Sequence, residues 1–416
     1  MMFVATRENG EKIHLLHNQD ETELQMMRKK TRFFCPICRR EVQLKLGKQK
    51  RWHFAHKNVN QCLVSSEPES AYHMRGKEQL YRWLKSQGFH VKIEHYLPEI
   101  RQRPDLFIER KGRQMAIEYQ CASLSAEQLL KRTSSYWKEG IQVIWILGGN
   151  QLKRHAAHWI SLSSFHFLCI QSYPQPLLLF FCPNEKSFIK CELLTPFSTN
   201  VYFSHSTYLP LRTVTFEELF CHTPITKERL EREWQNKKTY FRTNVLPIWN
   251  YGHKSLLHLL YRYHLSPSCF PSEIGVPLPT AFAFQTHPFI WQALLCIDFI
   301  GKFKTGDYFS LHAVFSYVNN RRSIQRRTLP YFPQYVWQFA IVEYVTFLCK
   351  VGMIERVDMY KYRKTRQFTM QKTEGEVKEY DAICLSHALS LFETKYNMGK
   401  EKEDILNYPH LPSNDV

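Results

Sequence analysis

The stretch that most limits the fold is residues 142–147, where Val143, Ile144, Trp145, Ile146 and Leu147 run without a polar interruption. A strand with water on one face alternates apolar and polar residues, so this run needs cover on both faces, as strands of parallel sheets have. Parallel neighbours need a crossover, usually a helix. One fits just upstream: Ser125 is a suitable N-cap, the helix runs to about Lys138, and Glu139-Gly140 ends it. Further upstream lie a strand over 115–121, a turn at Arg110-Lys111-Gly112, a short strand over 105–108 and an alternating strand over 89–97. Before these, Tyr72, Leu80, Trp83 and Leu84 mark one face of a helix that Gly88 stops. The order is α-β-β-β-α-β, a mixed α/β core.

The flanks divide the chain into three expected regions: a hairpin and metal module over 1–64, the α/β domain with extra strands over 65–210, and a mainly helical region over 211–416. Val4 and Thr6, the Glu8-Asn9-Gly10 turn and Ile13, Leu15 and Leu16 read as a hairpin. Strands are expected at 165–171, 177–181, 188–194 and 201–205, and helices at 216–221, 254–263, 289–300, 310–319 and 334–349. Two short strands, 353–357 and 359–363, follow the last helix, with Lys361, Arg363, Lys364 and Arg366 at their end. Helix, helix and basic hairpin is the order of a winged-helix unit, set against the plainer reading of a helical domain with a solvated basic loop.

Lys and Arg number 56 against 38 Asp and Glu, a net charge of +18, which favours a polyanionic partner such as nucleic acid or an anionic membrane surface. No run approaches the ~18 apolar residues of a membrane span, and residues 1–12 lack the apolar core of a signal peptide, so a cytoplasmic protein is expected. Twelve scattered cysteines with one close C-x-x-C pair suggest reduced thiols and a metal site, not a disulfide framework.

That pair is Cys35-Pro36-Ile37-Cys38, followed after fourteen residues by His53-Phe54-Ala55-His56. A C-x-x-C turn lets two thiolates grip one ion, and an H-x-x-H pair completes a tetrahedron around structural Zn²⁺. Cys35, Cys38, His53 and His56 are therefore the expected ligands, with Cys62 a rival that would release His53. Around them, residues 28–57 carry eleven Lys or Arg against Glu41 alone. Lys48, Lys50 and Arg51, with Arg103 further on, are the expected DNA contacts. Trp52 and Phe54 either stack on bases or form the module's small core.

Pro104-Asp105 opens one strand of the α/β core, and Glu118-Tyr119-Gln120 lies in the next. A hairpin can set Asp105 beside Glu118, and the strand period of two puts Gln120 on the face of Glu118. Two carboxylates suit Mg²⁺ or Mn²⁺, which can activate water for phosphoryl transfer. A plain salt bridge, for example to Arg103, is the competing reading of a charge in so apolar a strand.

With this order in place, the region resembles the PD-(D/E)XK nuclease superfamily, and more closely the competence protein CoiA family. The matching residues are Cys35-Pro-Ile-Cys38, His53-Phe-Ala-His56, His73 with Lys77, Arg103-Pro-Asp105, Ala116-Ile-Glu-Tyr-Gln120 with Cys121, Arg132 with Tyr136, and Val143-Ile-Trp-Ile-Leu147. The resemblance implies that Asp105 and Glu118 are catalytic metal ligands and that Gln120 replaces the usual lysine. Lys77 is then a candidate for the missing cation, Glu69 (or Glu78) for a further carboxylate, and His73 for a neighbour at the site. It also implies a cytoplasmic role in natural transformation, acting on incoming DNA to promote recombination, with single-stranded DNA or recombination intermediates and recombination proteins as partners. Two functions follow: a Mg²⁺-dependent DNA endonuclease, or an inactive DNA-binding or recombination-mediator protein on a nuclease fold.

Overall fold

The computed structural model describes residues 1–16, 20–47, 51–57, 62, 70–110, 112–172, 175–223, 227–245, 254–368 and 373–395. In the N-terminal module a turn with Gly10 at φ +83 joins β1 (Val4–Arg7) to β2 (Lys12–His14), a left-handed position that glycine tolerates. Helix α1 (Glu21–Lys30) is capped by Asp20 and has acids in its first turn and Arg28, Lys29 and Lys30 in its last, matching the helix dipole at both ends. Strands β3 (Phe33–Phe34), β4 (Glu41–Lys45) and β5 (His53–His56) complete an antiparallel sheet of order β2-β1-β3-β4-β5. Backbone bonds between Met2 and Phe54 bring β5 back beside the start of β1.

The α/β core follows the expected order: α2 (Ala71–Ser86), β6 (His90–Ile93), β7 (Leu106–Arg110), β8 (Arg113–Gln120), α3 (Ala126–Lys138) and β9 (Gln142–Gly148). Strands β6, β7 and β8 are antiparallel, and β9 lies parallel to β8 with Ile144 opposite Ile117. Strands β10 (Lys153–Ala156) and β11 (Trp159–Ser161), a short helix α4 (Ser164–Leu168), and strands β12 (Leu178–Cys182), β13 (Ser187–Pro196) and β14 (Val201–Pro210) follow. The nine-stranded sheet has the order β10-β11-β14-β13-β12-β9-β8-β7-β6.

Period two sorts the sheet into two faces. Met115, Ile117, Tyr119, Ile144 and Ile146 pack with α2 and the N-terminal module. Ala116, Val143, Trp145 and Leu147 pack with α3 and the C-terminal helices. Both faces of β9 are covered, which is why its sequence does not alternate.

Helix α2 approaches the sheet through Gly76. A β-carbon there would lie 2.1 Å from Tyr119 Cε1 and 2.6 Å from its Cζ, and Tyr119 is buried in the core. Alanine gains ~1 kcal/mol of helix propensity over glycine, but overpacking a tight core costs about 1–3 kcal/mol. Gly76→Ala is expected to lower the urea midpoint of unfolding; a raised midpoint would show that the ring yields freely.

Two local expectations change. Residues 164–168 form helix α4 instead of a strand, because His166 Nδ1 accepts the Ser163 amide at 2.9 Å and starts a helical turn. At 216–221 only a single turn, Glu217–Leu219, forms. Phe216 packs on Trp83 and Phe89 there, so the segment serves as a cover for α2.

The C-terminal region holds α5 (Lys227–Tyr240), α6 (Lys254–Arg262), α7 (Pro288–Ala293), β15 (Tyr308–Ser310), α8 (Leu311–Asn320), α9 (Val336–Lys350), β16 (Ile354–Arg356), β17 (Lys361–Lys364) and α10 (Glu374–Lys395). The helix expected over 289–300 becomes α7 followed by a wide turn at Leu294–Phe299. Its interrupting polar residues are both satisfied. Gln292 Oε1 accepts the Gly275 and Val276 amides at 2.7 and 3.0 Å, and Asp298 accepts the Tyr263 and Tyr317 hydroxyls at 2.9 and 2.8 Å. The hairpin of β16 and β17 forms, with β15 on the far side of β17, so β15-α8-α9-β16-β17 has winged-helix order. Yet α9 has no Lys or Arg before Lys350, and Phe339 and Val342 point outward at 46% and 37% exposure. A helix that reads bases carries charged or amide side chains on that face.

Candidate active site and metal centre

The first cluster sits where β3 gives way to a tight turn. The Cys35 amide donates to the Arg40 carbonyl, the Arg39 amide donates to the Cys35 carbonyl, and Arg39 sits at φ +57. The turn aims Cys35 and Cys38 the same way. His56 Nε2 lies 3.3 Å from Cys38 Sγ, and Cys62 Sγ lies 3.9 Å from Cys35 Sγ. Among the described residues, Cys35, Cys38, His56 and Cys62 bring their ligand atoms within 4.8 Å of one another. A tetrahedral ion with thiolates at about 2.3 Å needs sulfur–sulfur edges of about 3.8 Å, so the group fits zinc in size as well as in donor type.

His53 is not in this group. On a strand, residues three apart face opposite sides, so β5 cannot aim His53 and His56 at one point. His53 Nδ1 lies 2.8 Å from the Arg51 carbonyl instead. Cys62 takes the fourth corner. Burial pushes the Cys35 thiol up to about 12, against the Cys38 and Ile37 amides that favour the thiolate. Burial first, then the charges of the N-terminus, Arg103 and Arg40, keep His56 below its ordinary value, in the neutral form that binds metal. Phe54 is fully buried against Phe33 and belongs to the core, not to a stacking surface.

The second cluster lies at the open end of β7 and β8. The β7–β8 ladder ends at the Leu106–Ile117 pair, and Asp105 and Glu118 are the next residue on either chain. Asp105 Oδ2 accepts the Tyr119 amide at 2.9 Å and lies 3.2 Å from His73 Nε2, while Oδ1 is 3.5 Å from Lys77 Nζ. Burial would raise the Asp105 carboxyl, but the His73 and Lys77 charges and the bonds from His73 and Tyr119 outweigh it and hold it below the carboxylate range. Helix α2 thus supplies two of the expected neighbours, His73 and Lys77, one turn apart on the same face.

Glu118 leans the other way. Its Oε1 accepts the Tyr136 hydroxyl and an Arg132 guanidinium nitrogen, each at 2.6 Å, both from α3. Burial raises its pKa; Arg132 opposes this and the nearby Asp105 charge adds to it. Gln120 turns its amide nitrogen to the Ala122 carbonyl at 2.8 Å. Asp105 thus meets His73 and Lys77 of α2 while Glu118 meets Arg132 and Tyr136 of α3, so the contacts of the two carboxylates lie toward opposite faces of the sheet and do not converge, with Gln120, on Lys77 and His73.

Other expected residues fall elsewhere. Lys48, Lys50 and Glu69 lie outside the described residues. Arg51 is exposed and pairs with Glu78 at 2.9 Å, and Glu78 also meets Arg82 at 3.2 Å, so Glu78 ties the module to α2. Arg103 is half-buried and its charge reaches both His56 and Glu94, between the two clusters. Sequence reasoning missed Glu94 and gave no role to Arg132 and Tyr136. Glu94 bore no visible mark: it falls on the polar phase of the 89–97 alternation, where a solvated acid is the plain expectation.

Comparison with known proteins decides the family. Family models for competence protein CoiA match almost end to end: the N-terminal domain over residues 16–65, the nuclease-like domain over 69–224 and the C-terminal domain over 228–377. The chain belongs to the competence protein CoiA family. Competence protein CoiA of Bacillus subtilis (strain 168) is 34% identical over 356 residues, spanning 84% of this chain and 93% of that protein. No solved structure matches the chain. The two clusters thus sit in the CoiA N-terminal and nuclease-like domains, and among the described residues no helix is long and apolar enough to cross a membrane.

Proposed function

We propose that this CoiA family member is a metal-dependent DNA nuclease that acts on incoming DNA in the cytoplasm and promotes recombination during natural transformation. One observation carries the reading: in a domain matched as nuclease-like, Asp105 and Glu118 flank the last Leu106–Ile117 pair of the β7–β8 ladder, with a buried lysine, Lys77, 3.5 Å from Asp105. Asp105 and Glu118 would hold Mg²⁺ or Mn²⁺, which supplies an activated water and charge stabilisation for phosphoryl transfer. Lys77 offers a positive charge 3.5 Å from Asp105, where Gln120 offers none. His73 and the Tyr119 amide fix the orientation of Asp105. Zinc on Cys35, Cys38, His56 and Cys62 stays structural, since four protein ligands leave no open position. The expected substrate is single-stranded DNA or a recombination intermediate, with recombination proteins as partners.

A second reading has a specific observation behind it. Gln120 cannot carry charge, and Arg132 and Tyr136 both hold Glu118 Oε1. A protein that binds DNA or mediates recombination without cutting fits these contacts. Incubating single- and double-stranded DNA with the protein, with and without Mg²⁺ or Mn²⁺ and beside Asp105→Ala, separates the two. Divalent-dependent cleavage that Asp105→Ala abolishes supports the nuclease; binding without cleavage supports the mediator.

Both readings expect DNA contacts from the basic stretch around Lys48, Lys50 and Arg51. Each phosphate neutralised adds about −0.9 to the log–log salt slope for duplex and about −0.7 for single strands. Charge reversal at the three positions is expected to weaken binding equally for all sequences and flatten the slope. An unchanged slope would move the DNA surface elsewhere.

A further inference from the structure

Glu94 links the N-terminal module to the proposed active site. It follows β6 at φ +50, a conformation that residues other than glycine adopt when their surroundings hold them there. Its backbone amide donates to the Asp105 carbonyl at 3.0 Å. Its side chain is buried and uses both oxygens: Oε2 accepts the Phe3 and Val4 amides of the N-terminal module at 2.9 and 3.2 Å, and Oε1 accepts Lys77 Nζ at 2.7 Å. Lys77 is fully buried, with its ammonium 5.6 Å over the Phe3 ring.

A buried ammonium needs an anion beside it, and among the described residues Glu94 and Asp105 compete for this one. Glu94 is closer, at 2.7 Å against 3.5 Å for Asp105. The two module amides fix Glu94, so it cannot follow Lys77 toward Asp105. Were Glu94 neutral, Asp105 would be the remaining anion in reach among the described residues, and a carboxylate bound tightly to an ammonium is a poorer ligand for a second cation. The Lys77 charge also holds Glu94 ionised against its burial.

We propose that Glu94 is a positioning residue: pinned by the Phe3 and Val4 amides, it holds Lys77 back from Asp105 and so keeps Asp105 able to take a divalent ion. This rests on the metal-binding reading of Asp105. It also makes docking of the N-terminal module a condition of the site, since β1 supplies the pins. A merely structural role would need only the acceptor for the two amides, not the charge.

Glu94→Gln makes that distinction, because the amide oxygen still accepts from Phe3 and Val4 while the charge is lost. The measurement is Mn²⁺ binding to the full-length, zinc-loaded chain by electron paramagnetic resonance, with Asp105→Ala as the baseline. Affinity is expected to fall about tenfold or more in E94Q, the usual effect of removing a group that supports a metal ligand. Hydrogen exchange at residues 1–5 stays as in the wild type, and so does affinity for a labelled single-stranded oligonucleotide in metal-free buffer. Glu94→Asp, which keeps the charge but withdraws it by one methylene, gives a smaller loss and serves the same comparison if E94Q does not fold. Mn²⁺ affinity equal to wild type in E94Q, or in E94D where that variant stands in, overturns the proposal and leaves the Asp105 site standing. Mn²⁺ affinity unchanged in Asp105→Ala removes the metal site itself, and the proposal falls with it.

Discussion

Stripping zinc under reducing conditions is expected to unfold the N-terminal module and to loosen α2 with it. Apparent zinc affinities in small structural sites amount to ~10–16 kcal/mol of folding free energy, against total stabilities of ~5–15 kcal/mol for ordinary domains. The turn that carries Cys35 and Cys38 has little else to hold it, since β3 is two residues long and α1 buries only Leu24. What the module does bury is shared: Phe3, Val4 and Phe54 belong to the same core as Met74, Leu80 and Leu84 of α2. Loss of zinc should therefore appear in hydrogen exchange first at residues 1–57 and next at 71–86. Elemental analysis is expected to find one zinc per chain. Cys62→Ser should lose it, whereas His53→Ala should keep it. Zinc retained in Cys62→Ser but lost in His53→Ala would restore the H-x-x-H ligand set.

Glu118→Gln is expected to reduce divalent-dependent cleavage by a factor on the order of 100 or more, since a metal's charge stabilisation is worth several kcal/mol and each 1.4 kcal/mol is tenfold. DNA affinity in metal-free buffer should not change. The substitution keeps an oxygen for Tyr136 and Arg132, which now meet Oε1 at 2.6 Å, so folding is preserved better than with alanine. Alanine would leave Arg132 beside an apolar gap. Arg132→Lys makes the complementary case: it frees Glu118 from a guanidinium bond, and if that bond restrains the ion site, Mn²⁺ affinity rises. Cleavage untouched by Glu118→Gln would exclude Glu118 as a ligand and favour the mediator reading.

The sequence carried the α/β core well because its signals are local. An unbroken apolar run marked β9, and Ser125 and Gly140 bounded α3. The Asn9-Gly10 and Gly112 turns set the hairpins. The Cys35, Cys38, His56 and Cys62 cluster was legible only in part. C-x-x-C is a turn motif and can be read from spacing, but H-x-x-H means one thing on a helix and another on a strand. The two-residue period of β5 turned His53 away and left a place for Cys62. The active-site surroundings were least legible. Asp105 and Glu118 stood out as charges in apolar strands, but Glu94 depends on Phe3 and Val4, some 90 residues away in sequence, and no local pattern announces that contact. In the C-terminal region, Asp298 and Gln292 looked like interruptions of an amphipathic helix. They are buried anchors, and α7 passes into the wide turn at Leu294–Phe299 between them.

The most direct test of the account is a crystal of the zinc-loaded protein soaked with Mn²⁺ and a short single-stranded DNA, examined by anomalous scattering. The account predicts zinc at Cys35, Cys38, His56 and Cys62, and one manganese bound by Asp105 and Glu118 at about 2.2 Å, near the octahedral oxygen distances of small divalent ions. Glu118 would then have given up at least one of its bonds to Arg132 and Tyr136, and Lys77 would remain with Glu94. No manganese at Asp105, with Glu118 still held by Arg132 and Tyr136, would contradict it.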